Sequence, residues 1–464
     1  MQTAHELPNV TARPGNLEAV LQQIVRKTGV PGISAALVHD GQVTCAAAGL
    51  RSTSTPSPMG TESRFMMGSL GKFLFALSAM ESIVANELDC DAPLLAYLPE
   101  LRGCDMGRSV ALRHLMSHTS GVYWRADGPF ANHVFNADWP SMVQRSIAAR
   151  PLFAPGAAFS YDAPNYVLCG EILRRLHGVA PRDLIRTRIL DPLGIECSGT
   201  LDTEKADWFV EGHTATTGGG FAPVDPAVIA EPWESACSSL TISMPDLAKI
   251  AATVMDARDT TSAMLSPAAR RMLLTQTIEL PIAPEWPVRD SALTSYGFGC
   301  GGHRNRSLGH PGEGAGQCCA LHFDPARGIA VAVGVNALAF NVREAALTML
   351  MRSMGFSKGS GASKRPTFER GELPGNYVGG SLGRVVEVRE LDSMLICRLG
   401  AAQGTTEPGA SDKKIPVIRF HLTEEGHAEL DEQSRQFPVC FFREPGGTTP
   451  CLLAGAVSYR RSVE

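Results

Sequence analysis

Residues 69–86 read SLGKFLFALSAMESIVAN, and this stretch decides the fold of the chain around it. Apolar side chains occupy nearly every side of a helix built on it, which predicts a helix buried inside a domain. Ser69 and Lys72 are three residues apart, so their side chains share one face of that helix. A buried lysine amine held beside a serine hydroxyl can take its proton and activate the oxygen. The stretch therefore predicts a serine nucleophile, Ser69, with Lys72 as its base.

The S-x-x-K pattern is weak by itself. Ser411 and Lys414 repeat the spacing in a polar, loop-like segment, and a serine that starts a helix is also an ordinary N-cap. Two further residues strengthen the prediction. Tyr161 stands just before a predicted helix, and His310 lies in the glycine-rich LGHPGEGAG before a predicted strand hairpin. Taken singly, a packing tyrosine and a loop histidine are the simpler interpretations.

The order of these elements resembles the serine β-lactamase and penicillin-binding-protein superfamily, in its class C and family VIII esterase-like branch. The resemblance covers roughly residues 15–355. It extends to the segments VALRHLMSHTSGV, RILDPLGI and LGHPGEGAGQCCALHFDPARGIAVAVGVN, at residues 110–122, 188–195 and 308–336. The resemblance implies an α+β fold, with an antiparallel sheet flanked by helices and an additional all-helical region.

The same resemblance implies a role for each site residue. Ser69 is the acylated nucleophile, Lys72 and Tyr161 form the base network, and Tyr161 returns the proton to the leaving group. His310 takes the place of the lysine in the K-T-G motif of the lactamases. Backbone N–H groups of Ser69 and of the residue after the His-Pro-Gly segment form the oxyanion hole. The implied oxyanion and substrate-binding residues are Ser69, Gly312 and Glu313.

Two departures from the family pattern bear on the substrate. The Tyr-x-Asn triplet of the family, whose Asn helps to hold an amide-bearing substrate, ends here at Ala163, and Asn165 is not expected to replace that Asn. His310 removes a permanent cation that would bind a substrate carboxylate. The literal K-T-G at Lys27 ends the first predicted helix and precedes the serine, so it does not supply that cation. Both departures point away from β-lactam hydrolysis.

Two rival sites have little support. Residues 379–383 read GGSLG, a literal G-x-S-x-G, but a nucleophile elbow needs a helix after the turn and a strand pattern follows. A hairpin turn is the better interpretation. Metal ligands of suitable type occur at Cys300, His303, His310 and Cys318, but their spacings fit no common zinc pattern. We predict no metal and no cofactor.

The chain divides into three predicted parts: a catalytic domain over residues 1–355, a Gly/Ser/Lys-rich linker over 356–372, and a C-terminal all-β, lipocalin-like domain over 373–464 that resembles a β-barrel. The predicted helices are 16–27, 69–86, 109–121, 166–177 and 341–354, and a further helix closes at 189–194. The predicted strands are 32–38, 42–48, the two strands of a hairpin within 315–336, and 384–391, 393–399, 416–422 and 439–443.

Composition excludes several classes of partner. The 464 residues carry a net charge of −5, and the isoelectric point is about 6.2, so no nucleic-acid partner is expected. Residues 1–17 lack a basic start and an apolar core, and no apolar run reaches membrane-spanning length, so we expect no signal peptide and no membrane partner. The twelve cysteines form no C-x-x-C pair. A cytoplasmic protein with reduced thiols is the prediction.

Three functions remain open. The first is hydrolysis of a small ester or amide. The second is peptide chemistry, by a D-residue peptidase or by a stand-alone penicillin-binding-protein-type thioesterase that cyclises a nonribosomal peptide, with an acyl substrate that could be carrier-bound. The third is a non-catalytic penicillin-recognising protein, against which the intact Ser69, Lys72 and Tyr161 argue. Hydrolysis ranks first because it is the commoner fate of an acyl-enzyme.

Overall fold

The structure of the protein is a computed structural model. It describes residues 13–123, 138–149, 151–196, 210–224, 240–256, 264–275, 277–280, 293–303, 305–356, 367–369, 371–379, 384–391, 394–400, 417–425, 427–430, 439–443, 450–454 and 457–461. Most of the predicted linker therefore lies outside the described residues.

The helices among the described residues are α1 (Leu17–Thr28), α2 (Gly71–Val84), α3 (Asp105–Ser109), α4 (Leu112–Met116), α5 (Trp139–Ile147), α6 (Ala163–His177), α7 (Pro181–Ile185), α8 (Met244–Met255), α9 (Pro267–Thr275) and α10 (Phe340–Ser353). Short turns of other helix types cover Pro14–Asn16, Gly68–Leu70, Leu94–Ala96, Pro99–Leu101, Arg186–Leu190 and Asp191–Leu193. Within this part of the chain, no helix has both the length and the apolar character that crossing a bilayer requires.

The strands begin with β1 (Gly32–His39), β2 (Gln42–Ser52), β3 (Ser57–Pro58), β4 (Arg64–Met66), β5 (His213–Ala215), β6 (Phe221–Pro223), β7 (Thr241–Ser243), β8 (Thr277–Glu279) and β9 (Leu293–Gly297). They continue with β10 (Gly301–His303), β11 (Leu308–Gly314), β12 (Gln317–Asp324), β13 (Ile329–Val335), β14 (Gly375–Gly379), β15 (Arg384–Leu391) and β16 (Met394–Gly400). The last are β17 (Val417–Leu422), β18 (Ala428–Leu430), β19 (Val439–Arg443), β20 (Pro450–Ala454) and β21 (Val457–Arg461).

Two compact units make up the chain. The first comprises Met1–Leu88, Leu173–Thr277 and Gly297–Ser360, and the second comprises Asp89–Ile172, Ile278–Tyr296 and Gly361–Glu464. In the described part of the first unit, an antiparallel sheet runs in the order β3-β2-β1-β13-β12-β11-β10. Helices α1 and α10 share one apolar core with β1, β12 and β13, and α8 packs against β1 and β13. This is the predicted α+β arrangement of a large antiparallel sheet with flanking helices.

The first helix and hairpin show how local sequence sets this sheet. Gly29 ends α1 with a left-handed φ of 71°, and its N–H donates to the Val25 carbonyl. Asp40 and Gly41 both take positive φ, 48° and 76°, as the two-residue turn of a twisted hairpin demands. The turn aligns β1 and β2 in register, with Ala35 opposite Ala46.

The helix predicted over residues 109–121 is wrong in extent, because α3 ends at Ser109 and α4 covers only Leu112–Met116. Ala111 is extended and forms an isolated bridge with Pro93, which interrupts the helix. At the other end, His118 takes a left-handed φ of 56°. Tertiary contacts at both ends thus override a helical pattern of apolar residues.

The C-terminal strands of the second unit form an antiparallel sheet in the order β18-β17-β16-β15-β14-β21-β20-β19. Strands adjacent in sequence are neighbours in the sheet, except β18 and β19, which stand at its two ends, and the first strand, β14, also pairs with the last, β21. Tyr377, Phe420, Phe441 and Leu452 fill its core. The four predicted strands are confirmed to within a residue at each end, whereas β14, β18, β20 and β21 were not predicted.

A second face of this sheet is also covered. Cys440 and Phe442 of β19 and Cys451 of β20 form an apolar cluster with Phe153 and Ala158. The second unit therefore packs its C-terminal sheet against the segment that leads to Tyr161.

Candidate active site

Ser69 lies in the turn that precedes α2, in the first unit. The N–H of Met67 donates to the Leu240 carbonyl at 2.8 Å, which fixes the start of this turn. Ser69 is partly exposed, whereas Lys72, one turn further on, is only 9% exposed. The Lys72 Nζ donates a hydrogen bond to the Ser69 Oγ at 3.3 Å. The S-x-x-K spacing thus brings the amine and the hydroxyl into contact at the protein surface.

The rest of α2 is buried on nearly all sides, as its sequence predicts. Phe73, Leu74, Phe75 and Leu77 are each at most 1% exposed. The Phe73 ring packs against Phe323 of β12 with centroids 5.7 Å apart. Lys72 therefore lies in the first turn of a helix that is buried along most of its length.

His310, Gly312 and Glu313 lie on β11, so His310 belongs to a strand and not to a loop before the hairpin. A Cβ on Gly312 would lie 1.8 Å from the Met67 carbonyl oxygen, and one on Gly68 would lie 2.6 Å from the Glu313 nitrogen. The two glycines therefore allow the backbone next to Ser69 to touch the backbone of β11. This contact brings the backbone on either side of Ser69, at Gly68 and Leu70, against Gly312 and Glu313.

Gly312→Ala is expected to separate the serine turn from β11, because the new methyl group would overlap the Met67 carbonyl. We expect acylation to slow about 10²-fold or more, the usual cost of losing one oxyanion donor. Overpacking would also cost about 1–3 kcal/mol of stability. The measurement is the acylation rate by stopped flow together with the melting temperature.

Gly218→Ala provides the matched control, since a Cβ at Gly218 would meet no atom within 4 Å. An acylation rate for Gly312→Ala equal to that of this control would show that the contact between the turn and the strand is dispensable.

His310 is neutral over the physiological pH range. Burial, and next the positive charge of Lys72, lower the pKa of His310 from 6.5 to about 3. Its Nδ1–H donates to the Pro311 carbonyl at 2.5 Å, so the neutral ring presents Nε2 as an acceptor. His310, which is only 4% exposed, is thus a neutral imidazole and contributes no positive charge at this point of β11.

The lowered pKa of His310 predicts acid sensitivity. The unfolded chain takes up this proton as the pH falls below 6.5, whereas the folded chain does so only near pH 3. Stability from this group is therefore complete above pH 6.5 and decreases toward pH 3, by about 2 kcal/mol between pH 7 and pH 5. We expect His310→Gln to remove that part of the pH dependence in urea unfolding at the two pH values. An identical dependence in both proteins would contradict the prediction.

Tyr161 lies in the second unit, two residues before α6 begins at Ala163. Its ring packs on His118 with centroids 4.2 Å apart, and on Tyr296 with centroids 6.1 Å apart. Tyr161 is partly exposed and borders an apolar cluster that includes Phe159 and Tyr296. Several aromatic neighbours thus fix the phenol of Tyr161.

The residues after Tyr161 offer no amide to a substrate. Ala163 is the first residue of α6 and ends in a methyl group. Asn165 is fully buried, where its Oδ1 accepts a hydrogen bond from Ser120 Oγ and its Nδ2 donates to the Asp162 carbonyl at 3.2 Å. Asn165 therefore has a structural role in holding the turn that carries Tyr161.

No role was predicted for two residues that contact the candidate site residues. His118, which packs on Tyr161, lies in the segment VALRHLMSHTSGV, where no functional residue was predicted. Arg343 of α10 is 6% exposed, with its guanidinium 3.5 Å from the Glu313 carboxylate and 2.8 Å from that of Glu344. A charged residue at helical spacing among the apolar residues of α10 was the signal that could have found Arg343.

The rival nucleophiles gain no support. Gly379 at the end of β14 pairs with Arg384 at the start of β15, so a strand follows the G-x-S-x-G instead of a helix. Residues 380–383 themselves lie outside the described residues, as do residues 411–414 with the second S-x-x-K.

The cysteines and histidines considered above as metal ligands are not gathered at one point in the described part of the chain. Burial raises the pKa of the Cys300 thiol to about 12 and that of Cys318 to about 11. His303 instead stacks on His322, with ring centroids 4.2 Å apart. Within the described ranges, the ligand atoms that gather within 4.8 Å belong to Asp89, Cys90 and Asp91.

Comparison with known proteins agrees with this fold. Residues 17–355 match the family described as Beta-lactamase, and the chain belongs to that family. Esterase EstB of Burkholderia gladioli is 28% identical over 214 residues, which cover 42% of this chain and 54% of the esterase. A D-aminopeptidase of Cereibacter sphaeroides is 31% identical over 206 residues, which cover 43% of this chain and 39% of that enzyme. The chain thus spans about half the length, or less, of these curated relatives.

A solved structure extends the likeness to nearly the whole chain. The crystal structure of SurE superimposes with a TM-score of 0.73 at 24% identity, over 97% of this chain and 99% of SurE. A structure of SurE with D-Leu superimposes with a TM-score of 0.71 at 23% identity, over the same shares of both chains. At this identity the likeness establishes the fold.

Proposed function

We propose that this protein is a serine hydrolase or acyl transferase that works through a Ser69 acyl-enzyme on an ester, thioester or amide, and that it is not primarily a β-lactamase. The observation that carries the proposal is the 3.3 Å contact between Lys72 Nζ and Ser69 Oγ. It lies where the serine turn touches β11, and Ser69 itself is partly exposed. The esterase and the D-aminopeptidase among its relatives support an acyl-transfer reaction.

The proposed reaction has two halves. In the first, Lys72 and Tyr161 take the Ser69 proton as Oγ bonds to the acyl carbon. The N–H groups of Ser69 and Glu313 stabilise the oxyanion, and Tyr161 passes the proton to the leaving group as its bond breaks. In the second half, water or an amine attacks the acyl carbon and gives its proton to the same base network, which returns a proton to Ser69 Oγ as the Oγ–acyl bond breaks. This step releases Ser69 and the product.

The neighbouring residues support a substrate other than a β-lactam. Neutral His310 offers no cation to a substrate carboxylate at ordinary pH. Ala163 has no amide, and the amide of Asn165 is engaged within the protein. His310 would thus replace the lysine that binds a substrate carboxylate in the lactamases, and Ala163 would replace the asparagine that binds a substrate amide. Neither side chain can make the corresponding interaction.

Peptide chemistry is the second candidate: a D-residue peptidase, or a thioesterase that cyclises a peptide, with a peptidyl acyl donor that is carrier-bound. The D-aminopeptidase relative and the structure of SurE with D-Leu favour a substrate containing a D-residue. We also propose that the C-terminal sheet is a lipocalin-like module. Its sequential strand order, with β14 paired to β21, is that of an eight-stranded up-and-down arrangement.

Three further parts of the proposal come from the sequence. They are the division into residues 1–355, 356–372 and 373–464, the cytoplasmic location, and the absence of nucleic-acid and membrane partners.

One experiment separates these functions. The protein is mixed with p-nitrophenyl esters, a penicillin or a peptidyl thioester ending in a D-residue, and its intact mass is followed over time. We expect an acyl adduct from the esters and the thioester, located on the peptide that contains Ser69, and slower or absent turnover of the penicillin. Products of hydrolysis or cyclisation differ by the mass of one water. Rapid turnover of the penicillin alone, or an adduct on another residue, would refute the proposal.

A further inference from the structure

His118 stands out as a buried residue whose conformation is unusual. It is 0% exposed and takes a left-handed φ of 56° in the segment after α4. Few residues other than glycine tolerate this conformation, although histidine and asparagine do so more readily than most. A local backbone cost of this kind persists where surrounding contacts require it.

His118 accepts hydrogen bonds from the backbone N–H groups of both neighbours of Tyr161. The Ser160 N–H donates to the His118 carbonyl at 2.8 Å. The Asp162 N–H donates to the His118 Nδ1 at 3.3 Å. One residue thereby fixes the peptide groups before and after Tyr161. Because Nδ1 is an acceptor, the ring is the neutral tautomer that carries its proton on Nε2.

The ring of His118 also fixes the phenol. Its centroid is 4.2 Å from that of Tyr161, with an interplanar angle of 36°. Tyr166 lies near the same ring at 5.2 Å, and its hydroxyl donates to the Met116 carbonyl. Tyr296 contacts the imidazole edge-on at 5.3 Å. The imidazole therefore supports the phenol of Tyr161 from a rigid aromatic cluster.

We propose that His118 is the positioning residue for Tyr161. Its Nδ1 accepts a hydrogen bond from the Asp162 N–H, its carbonyl accepts one from the Ser160 N–H, and its ring packs on that of Tyr161. These contacts fix the point at which the phenol delivers its proton. This inference rests on the proton-transfer role of Tyr161 in the proposed function. Proton transfer needs such support because a displacement of about 1 Å can cost about 10²-fold in rate.

The test uses replacements that tolerate the left-handed backbone. His118→Gly removes the ring and the Nδ1 acceptor without strain, and we expect it to lower kcat about 10²-fold with KM changed less than about threefold. His118→Asn places an acceptor, Oδ1, at the position of Nδ1, and we expect it to restore about tenfold of that loss. Equal rates for the two variants, or wild-type rates for both, would overturn the proposal.

A double-mutant cycle shows whether His118 acts through Tyr161. In a Tyr161→Phe background, which has no phenolic proton, His118→Asn and His118→Gly are expected to change kcat less than about threefold, so the effects are not additive. Full additivity would overturn the proposal. If His118→Gly does not fold, His118→Asn still completes the cycle.

Tyr166→Phe is the matched control for packing. It removes the hydrogen bond to Met116 from the same aromatic cluster and leaves the contacts of Tyr161 in place. We expect a lower melting temperature with kcat near that of the wild type, and a loss of kcat as large as that of His118→Gly would overturn the proposal.

Failure of the proposed function is recognised separately, by turnover that survives Ser69→Ala. A wild-type rate for Tyr161→Phe with Ser69 still acylated would overturn the His118 inference and the proton-transfer role of Tyr161, and would leave the Ser69 acyl-enzyme unaffected.

Discussion

Ser69→Ala is expected to abolish the acyl adduct and to lower turnover by about 10⁶-fold, as happens when a serine enzyme loses its nucleophile. The reason is that the reacting atom is Ser69 Oγ, which receives the hydrogen bond of Lys72 Nζ at 3.3 Å. Alanine keeps the turn and helix α2 but has no oxygen. Intact-mass spectrometry with a p-nitrophenyl ester measures the adduct, and steady-state kinetics measures the turnover.

Ser78→Ala is the control on the same helix. The Ser78 Oγ donates to the Phe75 carbonyl and is fully buried, so its loss should affect stability without preventing acylation. An adduct that still forms on Ser69→Ala, at the rate seen for Ser78→Ala, would place the nucleophile elsewhere in the chain.

Lys72→Ala is expected to lower kcat/KM about 10³-fold, within the range for loss of a general base. The amine is the group in contact with the Ser69 hydroxyl, and Lys72 is only 9% exposed. Lys72→Arg should be almost as inactive, because a guanidinium keeps the positive charge but cannot accept a proton near neutral pH. Acylation rates from stopped-flow kinetics measure both variants.

Lys249→Ala provides the surface control for these lysine variants. Lys249 of α8 is exposed on the surface and donates to the Leu193 carbonyl, so its replacement should leave the rate unchanged. A near-normal rate for Lys72→Ala would remove Lys72 from the mechanism. Strong recovery by Lys72→Arg would show that the charge matters and that proton transfer occurs elsewhere.

The C-terminal sheet has a physical connection to Tyr161 inside the second unit. Cys440, Phe442 and Cys451 cover Phe153 and Ala158, which precede Tyr161 by only a few residues. Burial of these apolar side chains stabilises the part of the segment at Phe153 and Ala158, where it faces the sheet. His118 stabilises the end of the same segment, through its hydrogen bonds to Ser160 and Asp162. The position of the phenol is therefore tied to packing by residues that are far away in sequence.

Local patterns predicted much of the first unit. The apolar residues of α1, the Asp40-Gly41 turn and the strands β12 and β13 are all where the periodicity and turn residues put them. Each depends on neighbours in sequence: a helix on its apolar spacing, a hairpin on residues that tolerate positive φ. The S-x-x-K contact belongs to this group, because i and i+3 side chains meet on any helix.

Predictions failed where contacts between distant segments decided the conformation. Ala111 bridges Pro93, which shortens the helix expected over residues 109–121. Gly312 and its neighbours read as a glycine-rich segment before the hairpin, yet they form strand β11, and Gly312 lies against the backbone of Met67 and Leu70. In both cases a segment remote in sequence contacts the residue, and local propensity does not encode such a contact.

The sequence by itself determined that Ser69 and Lys72 share the start of a buried helix, because helical geometry alone brings their side chains together. Only the tertiary structure decided what surrounds this pair. The absence of side chains at Gly68 and Gly312 matters solely because the turn and β11 touch there. His310 is neutral because its burial near Lys72 penalises a second positive charge. Close approach and desolvation depend on segments that meet in space, and no local pattern of residues encodes either of them.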